Sequence, residues 1–380
     1  MLAKAIKRYP LVRFLIDLRL TVVCLSLLFV LTFLGTVHQY SFGLYSAQQK
    51  YFESFFTLVA GFIPFPGTQL VMWVLFVNLV SVTIYRFSYK VKRVGILIIH
   101  AGIFVLFFGM FFTQYFAQES YLQLSEGEGR NVTSDYFAWE VAFWDADADT
   151  RRIAAFDLDS AVASQEVVVE PYGVTLEIER LFANANAYTV DASADEQRLN
   201  GSGIGLLEET RASPDPQENF PGILAAITTA SGERLPILLY GADLTPTTFV
   251  ADGRRVSTTL RRKSYHMPLV ITLQDFRADF FPNSDTPESF ESDVVVRTDG
   301  GTRPVRISMN NPLRYAGYTF YQASYAIDAT GGESSTFAVV KSRTRLVPYV
   351  GTGILGLGLI VHFVQVLAKR PRRAGATVAA

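Results

Sequence analysis

One side chain able to bind a metal or carry a proton sits inside an otherwise apolar run. It is His100, in VGILIIHAGIFVLFFGMFF over residues 94 to 112. An ionised residue at the centre of a membrane span costs about 2.5–3.5 kcal/mol on insertion scales, so a histidine there is neutral, and such residues mark functional sites. A neutral imidazole on an apolar wall is what a haem iron takes as an axial ligand. The competing reading is an imidazole hydrogen-bonded to a polar group of a neighbouring helix, with Asn78, Ser81 and Thr83 as the available partners. These residues alone leave both readings open.

Helical geometry adds a direction. Gly95, Gly102 and Gly109 recur every seven residues and form one smooth seam for close helix packing. At about 100° per residue, His100 points about 160° away from Gly102. The helix therefore has two working faces. One packs on a neighbour, and the other presents the imidazole elsewhere.

Haem iron commonly takes two axial ligands, and His362 is the candidate for the second within this chain. His100 lies six residues past Val94 and His362 six before Ala368, so both sit ~9 Å from the same edge by helix rise. Equal depth is necessary for a pair and not sufficient. A residue near the membrane interface beside Gln365 is the favoured reading of His362. His38 reads as an interfacial imidazole, and His266, in SYHMPLV, as a satisfied residue at a strand start. The one cysteine, Cys24, falls in an apolar run and reads as a small buried side chain. The rest of the chain can therefore hold no disulfide, Cys-x-x-Cys redox pair or cysteine-based zinc site.

No Walker A loop, His-Glu-x-x-His or Gly-x-Ser-x-Gly occurs. Gly351-Thr-Gly353-Ile-Leu-Gly356 imitates a dinucleotide fingerprint, but it opens an apolar run where no strand-turn-helix can form. Its glycines read instead as points of close helix approach.

The elements that must position these residues follow from hydropathy. The chain has 380 residues, 49% hydrophobic, and a net charge of −1. Four apolar runs are long enough to cross a ~30 Å hydrocarbon core. They are Leu20 to Val37, Leu70 to Tyr85, Val94 to Phe112 and Val347 to Ala368. The first has a basic lead like a signal peptide, but its apolar part is too long and no small-x-small site follows Leu34, so an anchor is expected. Basic residues cluster in the lead (Lys4, Lys7, Arg8, Arg13, Arg19), between the second and third runs (Arg86, Lys90, Lys92, Arg93) and in the tail (Lys369, Arg370, Arg372, Arg373). All three clusters fall on one side if every run spans, which marks that side as cytoplasmic.

The expected order is a cytoplasmic segment 1–19, spans 20–37 and 70–85 around an outer loop 38–69, and a cytoplasmic loop 86–93. Then come span 94–112, an extracytoplasmic domain 113–346, span 347–368 and a cytoplasmic tail 369–380. In the outer loop, Phe52, Phe55, Phe56, Val59 and Ile63 recur at helical spacing, which predicts a helix lying on the outer leaflet over Tyr51 to Ile63, with a short re-entrant hairpin as the weaker reading.

Residues 113–346 hold 33 of the 35 carboxylates against 20 basic residues, and this acidic balance argues against nucleic acid as a partner. Alternating segments such as YGVTLEIERL, PLVITLQDF, SDVVVRT and RPVRISM predict strands. The polar stretch 183–220, with Gly201, Gly203 and SPDPQ, reads as a long loop or insertion. In NNPLRYAGYTFYQASY, alternation puts Tyr318, Phe320 and Gln322 on one strand face and Thr319, Tyr321 and Ala323 on the other. A central strand between two layers is the favoured reading. The fold class is α+β: four transmembrane helices with a large β-rich extracytoplasmic domain.

The segment LQDFRADFFPNSDTPESFESDVVVRTDGGTRPVRISMNNPLRYAGYTFYQASY, residues 273 to 325, resembles the ResB-like family of cytochrome c biogenesis proteins. The likeness rests on Asp275-Phe276, Phe290 to Asp293, Asn311-Pro312-Leu313, Gly317-Tyr318 and Phe320 to Tyr325. GTVHQ at 35–39, IIHAGIFVLFFG at 98–109 and LSEGE at 124–128 extend it, and it is weakest over 145–260.

The resemblance implies a subunit of a System II cytochrome c synthase in a bacterial inner membrane. It would carry haem b outward as a substrate and present it for attachment to apocytochrome c. The implied partner is a CcsA/ResC-type membrane protein bearing a tryptophan-rich haem motif, which this chain lacks. The family's third-span histidine, an axial haem ligand, maps onto His100, with the opposite ligand supplied by the partner. No catalytic residue is expected here, because the chain would be a non-catalytic part of a haem-attachment complex. Two alternatives stand beside this: a b-type electron-transfer subunit with His100 and His362 as both ligands, and a haem-free scaffold.

Overall fold

The computed structural model describes residues 9–87, 89–148, 152–164, 166–189, 198–284, 286–327 and 331–368. Lys4, Lys7 and Arg8 of the basic lead, the basic tail from 369 and residues 190–197 of the polar stretch lie outside the described residues. The chain divides into two compact units, 1–117 with 342–380, and 118–341.

The first unit is helical. After a short helix Pro10–Leu15, it holds α1 (Leu18–Ala47), α2 (Thr68–Ser81, continued by a π turn over Val82–Arg86), α3 (Val94–Phe116) and α4 (Val347–Leu367). Among the described residues, four helices are long and apolar enough to cross a membrane, and each overlaps one of the expected runs, α1 continuing beyond the predicted Val37 to Ala47. α3 runs four residues beyond the predicted Phe112.

Packing within this unit follows residue size. Gly95, Gly102 and Gly109 are buried against α4: a Cβ at Gly102 would lie 2.7 Å from the Leu355 nitrogen, and one at Gly95 2.5 Å from the His362 nitrogen. Gly351 and Gly358 answer from α4, against Leu106 and Ile99. Backbones this close exchange van der Waals contact that larger residues would prevent. Of the three glycines in the dinucleotide-like pattern only Gly351 serves the seam; Gly353 and Gly356 face open space. Gln365 ties the same two helices, donating from Nε2 to the Val91 carbonyl at 2.9 Å.

Between α2 and α3 the packing is aromatic. Trp73 stacks on Phe111 at 4.1 Å, and Phe76 meets the rings of Phe104 and Phe107. α1 and α2 share a small core of Cys24, Leu31, Tyr51 and Val71, which bears out the reading of Cys24 as a small buried side chain.

The helix expected over Tyr51–Ile63 is absent. Helical turns carry α1 and its continuation only to Phe52, past a break at Gly43 (φ 79°, ψ 166°). The chain then forms a hairpin of β1 (Phe56–Val59) and β2 (Ile63–Pro66). Ala60 and Gly61 both take positive φ, the backbone hand that closes a tight hairpin. Pro64 and Pro66 remove the amides that a helix would need. Of the residues that suggested a helix face, Phe55, Phe56 and Ile63 are exposed, while Phe52 and Val59 pack on the Cys24 core.

The second unit is all strand apart from short helical pieces. Its strands are β3 (Gln118–Ser125), β4 (Gly129–Asp145), β5 (Ala154–Asp157), β6 (Glu166–Val169), β7 (Val174–Phe182), β8 (Ala185–Thr189), β9 (Ile204–Glu209), β10 (Gly222–Thr229), β11 (Arg234–Tyr240) and β12 (Thr247–Ala251). They continue with β13 (Arg254–Phe280), β14 (Pro287–Thr298), β15 (Gly301–Ser308), β16 (Leu313–Tyr315), β17 (Tyr318–Ile327) and β18 (Glu333–Lys341). A large sheet runs β15-β14-β13-β4-β3-β18-β17-β16, with β12 and β5 paired to its side; a second runs β11-β10-β7-β6.

Two cores result. Val141, Phe143, Leu176, Ile223, Ile237 and Leu260 lie in one, while Leu122, Ile271, Val296, Phe320 and Phe337 lie in the other. The 27-residue β13 serves both. Its alternation is the physical source: Leu269, Ile271 and Leu273 point inward as period two demands.

The polar stretch 183–220 is less irregular than its composition suggests, because β8 and β9 pair antiparallel within it. They share a satellite core of Phe182, Ala185, Leu207 and Leu238. β17 pairs with β18 on one side and β16 on the other, and Tyr321, Ala323 and Ser324 are exposed. On that face only Thr319 is buried, so the strand is covered on both faces at its start and on one face beyond it, rather than lying between two layers throughout. Its polar inward residue Gln322 is satisfied by Ser292 of β14 and Ser335 of β18, at 2.9 and 2.8 Å.

Candidate functional site

His100 projects from α3 toward the end of α2. Its Nδ1 lies 3.0 Å from the hydroxyl of Thr83, and Thr83 is buried. That hydroxyl also donates to the Leu79 carbonyl, one helical turn back, at 2.8 Å. A threonine hydroxyl has one proton and two lone pairs. In the tautomer that carries its proton on Nδ1, Thr83 accepts from the imidazole while its own proton goes to Leu79. Nε2 is then the unprotonated nitrogen, its lone pair in the ring plane. It makes no hydrogen bond among the described residues.

This is the arrangement in which a ligating histidine is normally held: one nitrogen tied to a fixed acceptor, which orients the ring and sets the tautomer, the other left for metal. The surroundings are apolar. Phe87 lies 6.0 Å from the imidazole, centroid to centroid. A groove of about 420 Å³ runs between the two elements, walled by Phe76 and Val80 of α2, Thr83 and Ile84 of the π turn, and Phe104, Val105 and Phe108 of α3. Phe104 and Phe108 continue the His100 face one and two turns on. Thr83 is the only polar side chain in the lining.

Of the three partners that sequence allowed for the imidazole, the structure uses Thr83. Asn78 is spent elsewhere, accepting from Thr21 at 2.7 Å and donating to the Leu15 carbonyl at 2.7 Å. The two readings of His100 are thus not exclusive, because a hydroxyl partner at Nδ1 leaves Nε2 for a second use.

His362 is not brought to this face. Its backbone and Cβ press on Gly95, on the seam opposite the one His100 occupies. His38 bonds Ser46 through Nε2 at 3.1 Å and stacks on Phe42 at 4.5 Å. His266, read as the start of a strand, stands exposed within β13 where the register with β4 breaks between His266 and Ile271. No group of three or more His, Cys, Asp or Glu side chains that would hold a metal ion occurs among the described residues. Sequence reasoning missed the groove, whose signal was the Phe104 and Phe108 spacing from His100.

Residues 238–341 match the ResB-like family, so the likeness read from residues 273 to 325 is borne out, and the chain is ResB-like over that segment. Several relatives carry the name cytochrome c biogenesis protein CcsB. "Cytochrome c biogenesis protein CcsB" of Synechococcus sp. (strain CC9311) is 34% identical over 112 residues, covering 29% of this chain and 25% of the relative. "Protein NrfI" of Wolinella succinogenes is 22% identical over 301 residues, covering 77% of this chain and 29% of the relative. The chain thus spans between a quarter and a third of the length of these relatives.

Proposed function

We propose that this chain is a haem-handling subunit of a System II cytochrome c synthase, with haem b as its transient substrate and His100 as one axial ligand. The observation that carries the reading is the His100 imidazole, tied through Nδ1 to Thr83, which itself lines an apolar groove. A planar apolar macrocycle suits such walls, and an unprotonated imidazole nitrogen suits its iron.

The opposite ligand is assigned to the partner, a CcsA/ResC-type protein, rather than to His362, since His362 lies on the α4 seam. A ligand set shared between two chains opens by relative motion, which allows haem to leave for apocytochrome c. The name of the CcsB relatives supports the setting in cytochrome c biogenesis. The apolar helices support a membrane location, which we assign to the bacterial inner membrane with residues 118–341 outside.

The test is His100→Ala in the complex purified with its partner. The complex is expected to assemble and to lose most of its haem absorbance. Full haem content in the assembled variant would overturn the assignment and favour a haem-free scaffold.

A further inference from the structure

The strand unit contains a cleft of about 660 Å³ that the haem reading does not use. Residues 155–157 of β5, 166–168 of β6, and Ser160 and Ala161 of the short helix Leu158–Ser164 between them line it, with Glu140 and Lys263 at its side. A strand seen face-on contributes alternate residues, whereas here three consecutive residues come from each strand. Both strands therefore turn their edges to the cleft. Among the described residues β5 pairs with β4 alone and β6 with β7 alone. An edge with unpaired N–H and C=O groups is a template for another strand.

The charges select what kind of strand. Glu166 stands directly opposite Glu177 across the β6–β7 pair, and like charges in that position repel. Arg234 serves Glu177 at 3.1 Å and Glu179 at 3.0 Å. Glu140 and Asp157 are matched by Arg261 and Lys263 at 2.9 and 2.7 Å. Glu166 has no cation among the described residues, and its open side is the cleft. Two positions on, on the same face, Val168 is 60% exposed. An incoming strand with a cation opposite Glu166 and an apolar side chain opposite Val168 answers both.

We propose that the free edge of β6 accepts, as a fifth strand of the β11-β10-β7-β6 sheet, an extended segment of unfolded polypeptide. That segment carries a basic residue two positions from an apolar one. The proposal deepens the reading above by naming how an apocytochrome would be held, but the binding itself asks nothing of His100.

The probe is a labelled peptide, Gly-Lys-Thr-Val-Thr-Lys-Gly, titrated onto the full chain in detergent and followed by anisotropy and by amide exchange at 166–169. N-methylation of its two Thr amides and of its Lys and Val amides is compared, since successive residues of a strand direct their hydrogen bonds to opposite sides. One set is expected to weaken binding about tenfold, the loss of two main-chain hydrogen bonds, and the other to leave it within about twofold. Glu166→Lys is expected to weaken binding about tenfold as well, and amide exchange at 166–169 to slow on binding. Absence of binding, equal effects of the two methylated sets, or unchanged affinity in Glu166→Lys would each overturn the proposal. His100→Ala is expected to bind the peptide as wild type does. Peptide binding lost with haem retained, or the reverse, therefore tells which of the two readings has failed.

Discussion

Thr83→Val isolates the hydrogen bond behind the imidazole. Valine keeps the branched shape that walls the groove and replaces only the hydroxyl with a methyl. In the proposed ligating tautomer, Thr83 accepts from Nδ1 at 3.0 Å while donating to Leu79 at 2.8 Å. Removing it leaves a polar N–H facing apolar surroundings, a state that costs about 1–3 kcal/mol. The imidazole escapes that cost by moving its proton to Nε2 or by turning its ring, and either change withdraws the lone pair proposed to meet the iron. Haem affinity at this ligand is therefore expected to fall between about five- and 150-fold, which brackets the about 10–100-fold typical of partners behind a ligating histidine. Thr83→Ser retains the hydroxyl and is expected within about threefold of wild type. The assay is haem titration into the depleted complex, read at the Soret band, with His100→Ala as the reference for complete loss. Wild-type affinity in Thr83→Val would refute the tautomer argument. So would equal losses in the Val and Ser variants, because packing rather than the hydroxyl would then be at stake.

Two further outcomes follow from other parts of the fold. Gly102→Ala sets a Cβ 2.7 Å from the backbone of Leu355, so α3 and α4 must separate. We expect a cost of about 1–3 kcal/mol, whereas Gly353→Ala, which meets open space, is expected to be neutral or to stabilise by up to about 1 kcal/mol. Equal unfolding midpoints in detergent for the two variants would count against the seam. On the strand unit, Arg306 and Arg277 hydrogen-bond Asp293 at 2.8 and 2.7 Å and hold its carboxyl below the usual carboxylate range. A carboxyl lowered by folding contributes stability that is fully present above its unfolded pKa, about 3.9, and is lost as pH falls toward the folded value. Acid titration of thermal stability below about pH 4 is expected to be shallower in Asp293→Asn than in wild type, and an identical slope would contradict this.

How much of this was legible depends on whether a feature lives on one helix or between elements. The two-faced character of α3 needed only the helical angle, and both faces are realised: Gly102 meets α4 and His100 meets the end of α2. The choice of Thr83 over Asn78 depends on how far α2 is displaced along α3 and on what α1 takes first, and neither is written locally. Tyr51–Ile63 failed for the opposite reason. Its rings fit a helical period, but Gly61 within it and Pro64 and Pro66 just after it are local turn and strand-edge signals that outweigh period. The strands β8 and β9 were hidden because they pair with each other over a small satellite core, so their sequence has little apolar alternation to show.

Gln322 marks a more general division. Alternation placed it with Tyr318 and Phe320, facing inward, and an inward polar residue must find partners. It finds Ser292, from the Phe-Glu-Ser-Asp part of the recognisable segment, and Ser335. Phe276 and Phe290 likewise close on Tyr325, at 5.0 and 5.5 Å. The residues that make this chain recognisable therefore specify the register of β13, β14, β17 and β18. The matched span 238–341 contains one histidine, the exposed His266, and the proposed ligand lies far outside it. A sheet register needs many mutually matched side chains and so leaves a long signature. An axial ligand needs one nitrogen, one acceptor behind it and an apolar wall, and its signature is a single residue that does not suit its surroundings.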